Sequence, residues 1–578
     1  MFVTNRGFAV TLTIGRQARA ALYDLMPKVV TPPVPQDLCL EIGGRLRADG
    51  SVLEAMTDAD RDLLAAAVIR LEPEAVAVSL LFSFLDDRHE RQVAAALPPG
   101  LFVTCSSEVL PEYREYERGM ATWLNAYTGP VIERYLARLA TAVAPAPLSV
   151  MQSSGVTAEP AFAARRAVNL LLSGPAGGLA GARHVAAAAG YTRIMSFDMG
   201  GTSTDVALID GEITLTSEGT VGRYPVAVPM VDMHTIGAGG GSIAEVDSGG
   251  VLQVGPQSAG AEPGPACYGQ GGQQATVTDA HVVLGRLPAG LRLGGRLALD
   301  VEAAQAALTR LGQALGGVDA VEAAEGVMAI VNEHMTQALR VISVERGIDP
   351  RDFTLVSFGG AGGLHVCALA GALGLRRAFV PAAAGVLSAL GMVVARPGRR
   401  LSRTVRKPLL QVSGDEVAAL FDKVAAPGVA ALVAEGHAER ALECKRSVDV
   451  CYVGQSFALS VPWTDAVSVA AAFHVAHEQR YGHRLDSPVE LVNLRVALDV
   501  AGIGASPTVQ DNAGAALAYG AAACPVHARS ELIAGRRVVG PAIVCDTIAT
   551  THIDPGWEAT LDPQGNLHLE TPSPPGPA

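Results

Sequence analysis

Apolar residues recur three and four apart between Asp58 and Arg70, the period of an amphipathic helix. AVAVSLLFSFL, from Ala75 to Leu85, then runs apolar without alternation, as a strand covered on both faces does. LFVTCSS from Leu101 repeats that pattern, so the first hundred residues follow a βα rhythm. Tyr113 to Leu139 carries polar and aromatic residues at helical spacing and predicts a long helix crossing between lobes.

From Leu148 the pattern changes. LSVMQSSG reads as a strand, and VNLLLSGPAGG opens a helix at Gly174, Pro175, Gly177 and Gly178 that continues to Ala189. YTRIMSFDMGGTSTDVALIDGEITLTSEG predicts a strand at 193–198, a tight glycine bend, a strand at 204–209, a turn at Asp210-Gly211 and a third strand at 212–217. Residues 222–295 are glycine-rich loops and short strands; residues 300–346 are helical, with a long run from Val321 to Val344. TLVSFGGAGGLHVCALAGALG from Thr354 is again strand, glycine turn and helix. Ala378 to Ala395 is uncharged and close to membrane-span length, but its Pro381, glycines and alanines favour a strand end, a turn and a buried helix. Beyond an arginine-rich break at 399–407 come a helix near Glu416–Glu439 and the strands of VDVCYVGQSFALSV. The last 20 residues or so, ending in TPSPPGPA, read as a disordered tail.

A chain of 578 residues predicts about three or four domains. Its 49% hydrophobic and 17% charged residues are lean in charge for a soluble surface, so part of that surface is expected to be interface. The net charge of -13 argues against a nucleic-acid binder, which needs a concentrated positive field. Arg165, Arg166, Arg399 and Arg400 read as solvated element ends. The eight cysteines are scattered, which gives neither a zinc knuckle nor a disulfide framework and suits a reducing cytoplasm; Cys267 and Cys367 read as packing. No signal-peptide pattern opens the chain.

The strongest chemical signal is Asp198 to Asp205. Gly200 and Gly201 lack a Cβ, so phosphate oxygens can approach the backbone amides closely, and Thr202, Ser203 and Thr204 add hydroxyl donors. Asp198, at the end of a buried strand, is placed to hold Mg²⁺ or orient a nucleophile, and Asp205 could join it. A dinucleotide site is disfavoured, since a strand and not a helix follows the glycines, and no Walker A motif occurs. Gly359, Gly360 and Gly362 form a second glycine turn that could lie beneath a nucleoside, so that two lobes grip opposite ends of ATP; a close strand-to-helix crossing explains it almost as well alone. Asp232 and His234 stand two apart before Gly237–Ser242 and could give two ligands to a second divalent ion, Mn²⁺ or Zn²⁺. Asp279 and His281 repeat that spacing, with a helix cap the favoured reading. Glu345, Arg346, Asp349 and Asp352 read as a salt-bridged polar turn, and His474, His477 and His483 as solvated helix surface.

At these motifs the chain resembles the hydantoinase A and 5-oxoprolinase family, which includes ATP-dependent ketone carboxylase subunits. The runs that carry the resemblance include SSEVLPEYREYERGMATWLNAY, LLSGPAGG, SFDMGGTSTDVALI, YPVAVPMVDMHTIGAGGGSIA, GPQSAGAEPGPACYGQGG, SVERGIDPRDFTLVSFGGAGGLH, YGHRLDSPVELVNLRV and GPAIVCDTIATTHIDPGW, and they extend over nearly the whole chain. The resemblance implies an α/β, actin-like ATPase (ribonuclease H-like) architecture of two lobes, with an additional C-terminal α+β domain. It divides the chain into the remainder of an N-terminal domain at 1–105, a central ATPase domain at 106–400 and a C-terminal domain at 410–570. It implies ATP and Mg²⁺, cytoplasmic location and hetero-oligomers with a hydantoinase B-type subunit. The implied activity is opening of a cyclic amide through phosphorylation of its oxygen, with ketone carboxylation or a non-catalytic scaffold as alternatives. His234 joins Asp198 and Asp205 as a candidate catalytic residue on chemistry and placement. Relatives carry an earlier glycine phosphate loop upstream of the stretch that starts here at Gly7; this sequence has one such loop, at Gly200, as a displaced start or a fragment would leave it.

Overall fold

The computed structural model describes residues 1–16, 23–26, 31–502 and 524–571. The chain forms two compact units, each assembled from three segments. Residues 1–176, 215–231 and 395–503 make the first, and 177–214, 232–394 and 504–578 the second, so the linear segments 106–400 and 410–570 contribute to both.

The first unit holds a four-stranded parallel sheet in the order Cys39–Ile42, Phe2–Asn5, Ala75–Ser79, Phe102–Cys105. Val3, Ile42, Val76 and Val78 are fully buried, as the unbroken apolar run predicts for a sheet covered on both faces. The helix expected from Asp58 spans Asp58–Leu71, opened by a reciprocal cap between Thr57 and Asp60. The strand read as far as Leu85 ends at Ser79. There side chains replace the ladder: Leu80 N donates to Glu90 Oε1 at 2.9 Å and Leu81 N to Asn5 Oδ1 at 2.8 Å. The long helix spans Glu115–Val143 and lies wholly within this unit, which corrects its expected crossing between lobes.

A second sheet of the first unit is antiparallel, in the order Gly398–Pro408, Val489–Val500, Leu442–Tyr452, Leu459–Pro462. The arginine-rich break is therefore a strand. Arg399, read as solvated, is 1% exposed, paired with Glu435 and stacked 4.0 Å over the Phe162 ring, while Arg400 meets Asp499 at 2.8 Å. A guanidinium enters a core when a carboxylate and a ring face enter with it. His477 is likewise buried, its Nδ1 2.9 Å from the His483 carbonyl, and the half-buried His474 meets the Tyr452 hydroxyl at 2.7 Å, so these two are not solvated, whereas His483 is exposed as expected. Gly414–Ala434 is long and apolar enough to cross a membrane, yet Val417, Phe421, Val424 and Leu432 pack into this unit's core.

The second unit is built on a nine-stranded mixed sheet. Its path runs Glu212–Ile213, Thr204–Asp210, Arg193–Met199, Thr354–Phe358, Arg377–Val380, Leu567–Glu570, Glu558–Leu561, Arg537–Val539, with His234–Ile236 also paired to Thr204–Asp210. The strands Glu558–Leu561 and Leu567–Glu570 lie in the stretch read as a tail: they pair with each other as a hairpin, and the second also pairs with Arg377–Val380, a partner remote in sequence, while residues 572–578 lie outside the described residues. The helix Ala320–Ile342, capped by Asp319, buries Val327, Val331, Met335 and Leu339. Ala378 to Ala395 resolves into a strand, a turn and the helix Leu387–Val394, as its Pro381 predicts.

Candidate functional site

The strand Arg193–Met199 pairs antiparallel with Thr204–Asp210 and parallel with Thr354–Phe358. Both glycine turns therefore leave the carboxyl ends of neighbouring parallel strands in one unit, the position where open α/β sheets bind ligands. They do not face each other from separate lobes: Phe358 is in register with Asp198, and Ala361 N donates to Met199 O at 3.2 Å.

The first turn is closed by Gly200 N donating to Ser203 O at 3.1 Å. The amides of Gly201, Thr202 and Ser203 and the hydroxyls of Thr202 and Ser203 have no hydrogen-bond partner among the described residues. A Cβ added at Gly200 or Gly201 would enter open space. Beneath the turn lies the glycine run after His234: Gly240 N donates to Gly200 O at 3.0 Å and Gly241 N to Gly201 O at 2.7 Å. A Cβ on Gly239 would stand 2.5 Å from Thr202 N, so this third glycine patch is the floor of the phosphate-type turn.

Asp198 and Asp205 are directly opposed across the ladder. Burial first, and then Asp205, raises the Asp198 carboxyl to about 7. Burial also raises Asp205, although Thr235 Oγ1 donates to its Oδ1 at 2.7 Å. Two desolvated carboxylates that repel one another form a hard oxygen donor set, which fits Mg²⁺.

Other expected residues are placed differently. Thr204 is buried and its hydroxyl donates to Ala238 O at 2.6 Å, so it anchors the turn and is turned away from a phosphate. Asp232 holds Arg346 through both carboxylate oxygens, at 2.5 and 3.2 Å. His234 is paired with Val206, one residue out of step with the Asp205–Thr235 pair, so it projects from the sheet face opposite Asp198 and Asp205. Asp198, Asp232 and His234 are accordingly not assembled into one ligand set, and no group of three or more His, Cys, Asp or Glu side chains among the described residues could hold a metal. Gly362 is buried, with the position of an added Cβ only 2.8 Å from Ser357 Oγ, so it serves the strand-to-helix crossing and cannot lie open beneath a nucleoside. Gly359 sits at φ 80°, where a Cβ would come within 2.5 Å of Asp198 Oδ1, and Gly360 is open. Asp279 is a cap: it accepts from Thr276 N and Oγ1 and from the amides of Ala266 and Cys267.

The turn opens on a cleft of about 250 Å³ lined by Gly200, Gly201, Gly240, His281, Gly360 and the segment Asp546–Thr550. No local pattern singles that segment out in the sequence, although GPAIVCDTIATTHIDPGW carries a family resemblance. Asp546 Oδ1 fixes its turn by accepting from Ile548 N and Ala549 N, and Gly363 and Gly385 make room for it beside the second glycine turn.

Residues 1–98 match the hydantoinase/oxoprolinase N-terminal region and residues 118–401 the hydantoinase/oxoprolinase model. The chain belongs to the hydantoinase/oxoprolinase family. Within that family it is 33% identical to caprolactamase subunit alpha of Pseudomonas jessenii, over 97% of this chain and 85% of that one. The crystal structure of the ATP-dependent caprolactamase from Pseudomonas jessenii superposes with a TM-score of 0.87 at 31% identity, covering 99% of this chain and 88% of that chain, so the fold is an ATPase-like α/β fold. A 5-oxoprolinase of Pestalotiopsis fici is 30% identical over 97% of this chain and 48% of its own length. The acetophenone carboxylase gamma subunit of Aromatoleum aromaticum is 34% identical over 62% of this chain and 51% of its own length.

Proposed function

We propose that the chain is the ATP-dependent subunit of a cytoplasmic hydrolase acting on a cyclic amide, working with a hydantoinase B-type partner in a two-lobed, actin-like ATPase arrangement. The observation that carries the reading is the open Asp198–Ser203 turn, which combines unpartnered amides with the opposed carboxylates of Asp198 and Asp205. The names of the caprolactamase and 5-oxoprolinase relatives support the amide class, and "subunit alpha" supports a partner.

An amide is a poor electrophile, and phosphorylating its oxygen supplies the leaving group that attack by water needs. The amides of Gly201, Thr202 and Ser203 hold terminal phosphate oxygens, and the two small residues at the bend let those oxygens reach the backbone. Asp198 and Asp205 would hold Mg²⁺, which when bound neutralises charge on the transferring phosphoryl group. Thr235 fixes Asp205 through its hydroxyl, and the glycine floor at Gly239–Gly241 keeps the turn in shape.

The test is ADP release by the full chain with a B-type partner, Mg²⁺ and a panel of hydantoin, 5-oxoproline and caprolactam. Turnover that needs both ATP and one cyclic amide is expected, and ATP use indifferent to every amide rejects the reading. Similarity to acetophenone carboxylase gamma favours a second reading, ketone carboxylation, which bicarbonate-dependent ATP use with acetone or an aryl ketone would select. Calorimetry with ATP excludes a non-catalytic scaffold if the chain binds at micromolar concentration.

A further inference from the structure

A second cavity is lined entirely by residues of the first unit and lies beyond the carboxyl end of Ala75–Ser79 in its parallel sheet, the end at which such sheets bind ligands. It holds about 400 Å³. The chain leaving that strand gives it an apolar wall of Leu81, Phe82, Phe84 and Leu85, and Tyr113 and Val405 extend that surface. A neighbouring cavity of about 590 Å³, lined also by Arg16, Gln455 and Ser456, shares Tyr113, Arg114, Glu115 and Arg406 with the first. These four residues therefore stand where an apolar chamber meets a polar one.

The junction is cationic. The Arg114 and Arg406 guanidiniums each lie 5.2 Å from the centre of the Tyr113 ring. Arg406 is paired with Glu490 at 3.2 Å, whereas Arg114 donates from Nη2 to the Ser456 carbonyl and meets no carboxylate among the described residues. Its Nε and Nη1 are left for a ligand. Glu115, the one acid lining both cavities, is exposed. Phe82, Arg114 and Arg406 have φ of 58°, 72° and 49°, so three of the five left-handed non-glycine residues in the described chain line this one cavity. Strain of that kind gathers at binding sites, where the surrounding structure holds it in place. Val405 and Arg406 bulge out of the ladder between Gly398–Pro408 and Val489–Val500, which re-aims their side chains. The start of the long helix is tied to this bulge: Tyr113 N donates to Thr404 Oγ1 at 2.9 Å, and Thr404 Oγ1 to Asn493 Oδ1 at 2.6 Å. Behind the wall the buried Arg118 joins the Leu80 and Glu112 carbonyls, at 3.1 and 2.9 Å.

We propose that this cavity binds a small organic carboxylate with an apolar body: the carboxylate meets Arg114 at the junction, and the body lies among Leu81, Phe82, Phe84 and Leu85. A guanidinium fork matches a carboxylate and bonds it more strongly than a neutral acceptor. Inorganic phosphate brings the charge but nothing to cover the apolar wall, and a neutral amide of the same shape covers the wall but leaves the charge-assisted bonds unmade. Both features together define the ligand. The site needs no nucleotide and stands apart from the cyclic-amide reading.

The experiment is calorimetry on the full chain, without nucleotide, using hexanoate, benzoate, acetate, hexanamide and inorganic phosphate. Hexanoate and benzoate should bind, with acetate, hexanamide and phosphate each weaker by about 10-fold or more. Arg114→Gln should weaken hexanoate about 10- to 100-fold. Arg114→Gly should weaken it as much while keeping or raising the thermal midpoint, because glycine takes φ of 72° without strain and can open a helix. Four results overturn the proposal: no saturable binding of hexanoate or benzoate at millimolar concentration, equal affinity for hexanoate and hexanamide, phosphate held as tightly as hexanoate, or an Arg114→Gly chain that binds like wild type. Should an Arg114 variant fail to fold, the comparison of hexanoate with hexanamide on the wild-type chain still decides.

Discussion

The turns at Gly200–Gly201 and Gly359–Gly363 leave adjacent parallel strands of one sheet, and in sequence they look alike. Around the first, an added Cβ meets nothing within 4 Å; around the second it meets Met199 O at 2.3 Å from Gly359, Ser357 Oγ at 2.8 Å from Gly362 and Thr550 O at 2.6 Å from Gly363. The first set of glycines makes room for a ligand, and most of the second makes room for the protein. Of the second turn, Gly360 and Ala361 line the cleft, and Gly360 is its one glycine there. Glycine richness after a strand thus marks close approach without saying what approaches.

That contrast can be broken experimentally. Asp198→Asn should lower amide-dependent ADP release by about 10²–10³-fold with the circular-dichroism spectrum unchanged; wild-type turnover would remove the carboxylate pair from the chemistry. Gly359→Ala should cost about 2–4 kcal/mol of stability in a denaturant titration, because φ of 80° and the contact with Asp198 both resist a Cβ. An unchanged midpoint would show that the second turn is as open as the first.

The carboxylate pair also makes stability depend on pH in a known direction. Asp198 titrates at about 7 in the folded chain against a usual value of 3.8. Between these values the folded state keeps a proton that the unfolded state has lost, so stability falls as pH rises through that window. Asp198→Asn should therefore stabilise the chain by about 1–2 kcal/mol at pH 8 and by little at pH 4, and Mg²⁺ should raise the wild-type melting temperature more at pH 8 than at pH 5. The smallest effect is expected at Gly201→Ala: stability within about 0.5 kcal/mol of wild type but nucleotide affinity about 10-fold weaker, read by calorimetry.

The sequence by itself determined the strand, bend and strand around Asp198, the capping of the helix at Asp279 and the helices of residues 300–346, because each depends on neighbours within a few positions. The family resemblance was legible for the same reason, being carried by short contiguous runs. Tertiary structure alone decided what those residues face. It placed the two glycine turns side by side, turned Thr204 inward to Ala238, occupied Asp232 with Arg346 and put His234 on the far sheet face. It also brought His281, His365 and Asn332 into one chain and laid Asp546–Thr550 along the cleft. Side-chain periodicity fixes a residue's face within its own element, but which partner covers that face depends on packing between segments hundreds of positions apart, and local patterns carry no record of it.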